Sequence, residues 1–106
     1  MPLYTFIMEY AGGSYISQIT ASSPKSACVK WARELNVSTV ARLGQLSKSA
    51  LVKEMKEGTP TRIETTLNVW CTTALIRGEV AIITLIQTEV VNAGSGKAQI
   101  QTRAEP

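Results

Sequence analysis

LNVWCTTALIRGEVAIITLIQTEVV, residues 67–91, is dominated by aliphatic and β-branched residues and broken once, at Arg77-Gly78. Valine, isoleucine and threonine suit a pleated strand, and a two-residue corner ending in glycine suits a tight hairpin turn. With Arg77-Gly78 as the loop, Trp70 stands opposite Leu85, Thr72 opposite Ile83 and Ala74 opposite Ala81. The other face carries Leu67, Val69, Cys71, Leu75, Val80, Ile82 and Ile86. Both faces are therefore apolar, whereas an antiparallel sheet with one wet face alternates with polar residues. One face is expected to meet the core and the other to meet protein, either the same chain folded over itself or a second copy. Val69, Cys71, Leu75, Val80, Ile82 and Ile86 are the candidate oligomer interface.

A second hairpin is expected at the start of the chain. In LYTFIMEY, residues 3–10, Tyr4, Phe6, Met8 and Tyr10 form one apolar row, with Thr5 and Glu9 on the opposite row. Gly12-Gly13 follows, and glycine adopts the positive φ of a primed turn without steric penalty. As a two-residue loop it pairs residue i with residue 25 − i, setting Tyr10 against Tyr15, Met8 against Ser17, Phe6 against Ile19 and Tyr4 against Ala21. All eight then share one face, which a one-residue slip would destroy. A phosphate loop would need a helix N-terminus after the glycines, and a strand pattern follows instead.

Two helical segments separate the hairpins. In SSPKSACVKWARELN, residues 22–36, Ser23 is placed to cap and Pro24 to occupy the first helical position, where its missing N–H does no harm. Cys28, Trp31, Ala32 and Leu35 make a helical stripe, and Asn36 is expected to stop the helix in the left-handed conformation. Residues 37–46 alternate at Val37, Thr39, Ala41 and Leu43, which predicts a connection with a short edge strand. The second helix is expected to be capped by Ser47, stapled by Leu46 and Leu51, and stopped at Gly58 and Pro60. The predicted order is β-β-α-α-β-β, an α+β fold in which two hairpins make one antiparallel sheet and two helices pack on one face. Residues 1–91 form the single compact domain, and residues 92–106 a flexible C-terminal tail.

At 106 residues, 44% hydrophobic and 18% charged, the chain has room for one core that buries roughly 65% of its unfolded surface. No run approaches the ~18 apolar residues of a membrane span, and the first ten residues lack a basic signal-peptide start, so the expected location is cytoplasmic. There Cys28 and Cys71 stay reduced and act as small hydrophobes. The chain has no histidine and no aspartate, which removes the Ser-His-Asp and Cys-His nucleophile systems and most zinc sites. Neither enzyme activity, cofactor nor metal is expected. GSGK at residues 94–97 ends like a phosphate loop, but Val91 and Ala98 stand where that motif needs glycine and Ser or Thr. Tyr4, Phe6, Tyr10 and Tyr15 offer rings for base stacking, yet no glycine-aromatic RNP-type motif accompanies them, and they read as core.

The net charge of +3 is uneven: residues 22–58 hold seven of the eleven basic residues and three of the eight acidic ones. Lys25, Lys30, Arg33, Lys48, Lys53 and Lys56 are the candidate nucleic-acid contacts, provided they converge on one side. The run YTFIMEYAGGSYISQITASSPKSACVKWAREL resembles the opening of small bacterial proteins of uncharacterised function, with their glycine-cornered hairpin and Ser-Pro-Lys helix start. Over residues 4–35 it is also similar in topology to the HicB-type antitoxin family, in which a G-G-Y hairpin leads into a helix opened by a small capping residue. Pro24-Lys25-Ser26 replaces the acidic pair usual there, and the 67–91 hairpin stands in place of a DNA-binding module. The resemblance implies an antitoxin-like regulator but assigns no functional residue. The leading expectation is a non-enzymatic module that self-associates through the 67–91 hairpin.

Overall fold

The computed structural model describes residues 1–40 and 43–89. Chain order runs β1 (Leu3–Tyr10), β2 (Gly13–Thr20), α1 (Pro24–Glu34), a 3-10 turn (Val37–Thr39), α2 (Gln45–Glu57), β3 (Thr61–Arg62), β4 (Val69–Ile76) and β5 (Glu79–Thr88). The fold is α+β, with one five-stranded antiparallel sheet in the order β2-β1-β5-β4-β3 and two helices. The expected β-β-α-α-β-β order thus gains β3, whose two residues are too few to show an alternation. The tail at 92–106 and its GSGK lie outside the described residues.

Both hairpins turn on the same geometry. Arg77 and Gly78 have φ of 52° and 81°, and Ala11 and Gly12 have 50° and 84°, the double-positive pattern of a type I′ loop. At Arg77-Gly78 the register agrees with the sequence reading: Trp70 faces Leu85, Thr72 faces Ile83 and Ala74 faces Ala81. The first turn sits one residue earlier than expected. Its loop is Ala11-Gly12, so Met8 faces Tyr15, Phe6 faces Ser17, Tyr4 faces Ile19 and Tyr10 faces Gly13. Gly13 is extended rather than left-handed, and the Tyr15 ring folds over it: a Cβ there would lie 2.5 Å from the Tyr15 hydroxyl oxygen. That packing outweighs the modest strain of an alanine at positive φ. The shift moves each partner by two residues and so leaves every side chain on its expected face.

Gly12→Val, at a backbone conformation that a β-branched residue rarely adopts, is expected to cost about 1–3 kcal/mol in urea unfolding. Ala11→Gly should instead gain up to about 1 kcal/mol. Equal stability of the wild type and Gly12→Val would refute the turn assignment.

The core lies between the inner sheet face and the helices. Tyr4, Phe6, Met8 and Tyr10 of β1, Ala74 and Ile76 of β4, and Ala81, Ile83 and Leu85 of β5 are buried there, so the aromatic row is core and not an open base-stacking surface. From α1 come Ala27, Cys28, Trp31 and Ala32, with Trp31 stacked on Phe6 at 5.0 Å and 4° between planes. The helix starts as its sequence predicts, with a Ser23–Ser26 capping box and Pro24 in the first turn. Its end does not: Leu35 is the C-cap, and Asn36, with φ of −85°, instead caps the 3-10 turn by accepting from the Ser38 N–H at 3.0 Å.

The short edge strand expected within 37–46 is not present among the described residues; Val40 and Leu43 are buried from irregular backbone. Helix α2 also starts earlier than expected. Gly44 is its N-cap, and Ser47 lies inside the first turn, in register with Leu51 and Met55 on the buried stripe. Leu46 is 89% exposed and forms no staple. Gly58 is the C-cap as expected.

Candidate interaction surface

The inner face is closed by α1 and α2, and no described element lies over the outer one. Cross-strand partners place Ile7 between Ile16 and Thr84, Ile86 between Thr5 and Val69, and Ile82 between Glu9 and Thr73, with Val80 opposite Leu75. All six residues of the sequence-derived interface lie on this face. Leu75 and Val80 are each 59% exposed and Ile82 44%, while Val69, Cys71 and Ile86 are half-buried among their strand neighbours. The first hairpin extends the patch with Ile7 and with Ile16, which is 70% exposed. The signal for Ile7 was the odd row of β1, overshadowed there by Thr5 and Glu9, and that for Ile16 the even row of β2, where it stands between Ser14 and Gln18.

Two properties suit this face to contact. Glu9 is the only charged side chain on it among the described strand residues. Its hydroxyl and amide groups are also already satisfied at one end: Thr5 and Thr88 Oγ1 atoms lie 2.6 Å apart, Gln18 Nε2 donates to Thr5 Oγ1 at 3.0 Å, and Thr88 Oγ1 donates to the Ile86 carbonyl at 3.1 Å. Covering groups that already have partners avoids the penalty of stranding a polar atom.

Two of the lysine candidates are engaged by tertiary contacts. Lys25 Nζ donates to the carbonyls of Met55 at 2.8 Å and Lys56 at 2.7 Å, and to that of Gly58, so it closes the C-terminal end of α2. A cation belongs there, where unpaired carbonyls gather negative partial charge. Lys30 Nζ donates to the Thr20 carbonyl at 3.1 Å. Arg33 is exposed on α1, and Lys53 and Lys56 are exposed on α2 with Lys48 half-buried. At about 100° per residue the α2 lysines spread over about 140° of its circumference. Two of the six cations are thus engaged with backbone carbonyls, and the rest do not form a single stripe on one helix.

Cys28 lacks the setting of a nucleophile. Cys28 is buried on α1, and desolvation pushes its pKa up from 9.0 to about 12 against a smaller lowering by Lys25. Because the unfolded thiol ionises first, stability is unaffected by this group below about pH 9 and falls as pH climbs from 9 toward 12. Urea unfolding from pH 7 to pH 10.5 should show that decline, and Cys28→Ala should flatten it; an unchanged slope would refute the assignment. Among the described residues no cluster of three potential metal ligands occurs, and no helix is long and apolar enough to cross a membrane.

Comparison with protein-family models, with curated proteins and with solved structures gives no match.

Proposed function

We propose that this protein acts by self-association, two copies closing their outer sheet faces against each other. The observation that carries the reading is the apolar outer face, with one charged side chain among the described strand residues and no described element over it. A second copy suits it better than an unrelated partner because a two-fold interface sets each patch against itself. A charged patch would meet its own sign, whereas aliphatic and threonine side chains meet without repulsion. Four strands about 4.8 Å apart and about 26 Å long present roughly 500 Å² as a plane, and more with side-chain relief. That is the scale of the ~600–1,000 Å² that each partner of a standard interface contributes. Sheets packed in this way stand ~10 Å apart and interlock through β-branched side chains.

Light scattering on the purified protein at about 100 µM, a concentration at which weak self-association registers, tests the reading. Twice the chain mass of 11.5 kDa, with an absorbance ratio free of nucleic acid, is the expected result. A monomer would overturn it, and a monomer that carries nucleic acid would transfer the function to the basic 22–58 segment.

A further inference from the structure

A second feature lies away from the open sheet face and does not depend on it. The start of α2 borders a cleft of 530 Å³ lined by Gly44, Gln45, Leu46, Ser47, Ala50 and Arg77. The first hydrogen bond within the helix runs from the Lys48 N–H to the Gly44 carbonyl at 2.9 Å, which leaves the N–H groups of Gln45, Leu46 and Ser47 outside the ladder. Gly44 provides no side-chain cap, and the first turn contains no acidic residue.

Ser47 is the independent observation. It is only 4% exposed, it lines the cleft, and its hydroxyl makes no hydrogen bond among the described residues. Buried hydroxyls are normally satisfied. Side chains in a helix lean toward its N-terminus, which inclines this one toward the first turn bordering the cleft. Arg77, an exposed cation of the β4–β5 turn, lines the same cleft, with no carboxylate partner among the described residues. Three N–H donors, a hydroxyl and a planar cation match the oxygens of a phosphate group. The cleft is larger than that group alone requires, falls in the volume range of small-molecule sites, and has Leu46 and Ala50 on its wall.

We propose that this cleft binds a small phosphate monoester, its phosphate held by the first turn of α2, the Ser47 hydroxyl and Arg77, and its apolar body lying against Leu46 and Ala50.

Amide spectra recorded during titration with inorganic phosphate and with phenyl phosphate, in chloride buffer of constant ionic strength, test this. The Gln45, Leu46 and Ser47 amides should shift with both, and at lower concentrations of phenyl phosphate. Arg77→Asn keeps a residue that tolerates positive φ in the turn and should weaken binding about tenfold, as loss of one charge-assisted contact does. Ser47→Ala should weaken it too. If Ser47→Ala does not fold, Arg77→Asn still decides. Shifts that scatter over the surface lysines, no shifts, or equal affinity in Arg77→Asn would overturn the site. Phenyl phosphate binding no tighter than inorganic phosphate would overturn the monoester assignment. Neither result bears on the solution mass, so this proposal and the sheet-face reading fail separately.

Discussion

Trp31→Ala is expected to lower stability by about 3–5 kcal/mol, a large part of what a domain of this size has. The indole is 2% exposed and stacks on Phe6, itself fully buried in β1. Its removal opens a void between α1 and the sheet where the surrounding backbone is hydrogen-bonded and relaxes little. The aromatic pair adds about 0.5–1.5 kcal/mol beyond its buried area. Urea unfolding should show the midpoint falling with the slope unchanged. Trp31→Phe separates the contributions: it keeps the stack and loses the bond from Trp31 Nε1 to Ser17 Oγ, 3.1 Å long, and the exposed Ser17 turns to water. That variant should lose only about 1 kcal/mol more than its smaller volume accounts for. A loss below about 1 kcal/mol for Trp31→Ala would show that α1 is not anchored here.

Ile82→Lys is expected to raise the dissociation constant of the proposed dimer by roughly 100-fold, about 2.7 kcal/mol. Ile82 lies in the middle of the outer face, between Glu9 and Thr73, and is 44% exposed in the monomer. A lysine there reaches water as long as the face is open, so the monomer should keep its thermal midpoint. In a closed pair the ammonium and its cross-strand neighbour Glu9 would both be desolvated among isoleucine and leucine, and taking two charges out of water costs more than their attraction returns. Sedimentation across a dilution series reads the constant directly. An unchanged constant would remove this face from the interface, and a variant that unfolds as a monomer would show that Ile82 belongs to the core.

The legibility of the fold tracked how local each determinant was. The β4–β5 register could be read because Arg77-Gly78 is the only corner in a long apolar run, and the structure has that register. At the first hairpin two adjacent glycines offered two possible turns. The choice fell to Tyr15 packing over Gly13, a contact that no turn propensity encodes. Side-chain parity is the same in both registers, so Tyr4, Phe6, Met8 and Tyr10 face the core either way, while the outer face of residues 67–91 follows from the β4–β5 register alone. Ser47 resembled a cap by residue type, but its spacing to Leu51 and Met55 is the stripe spacing, and burial won. The role of Lys25 was out of reach, since the end of α2 comes to it only in three dimensions. The cleft beside Arg77 was hidden for the same reason: residues 44–50 and residue 77 are joined by the fold, not by the sequence.

The strand order has a consequence for the sequence of events in folding. β1 and β5 are neighbours at the middle of the sheet, with Leu3 paired to Thr88. Each hairpin closes over a two-residue loop and can form quickly from nearby chain, but the seam between them joins segments separated by most of the described sequence. On a ribosome the N-terminal hairpin and both helices are made before residues 79–88. Until then one whole edge of β1 is unpaired and its aromatic row only partly covered. The nascent chain therefore passes through a stage with a sticky, half-built sheet, and the same β5 that ends this stage presents Ile82 to the outer face.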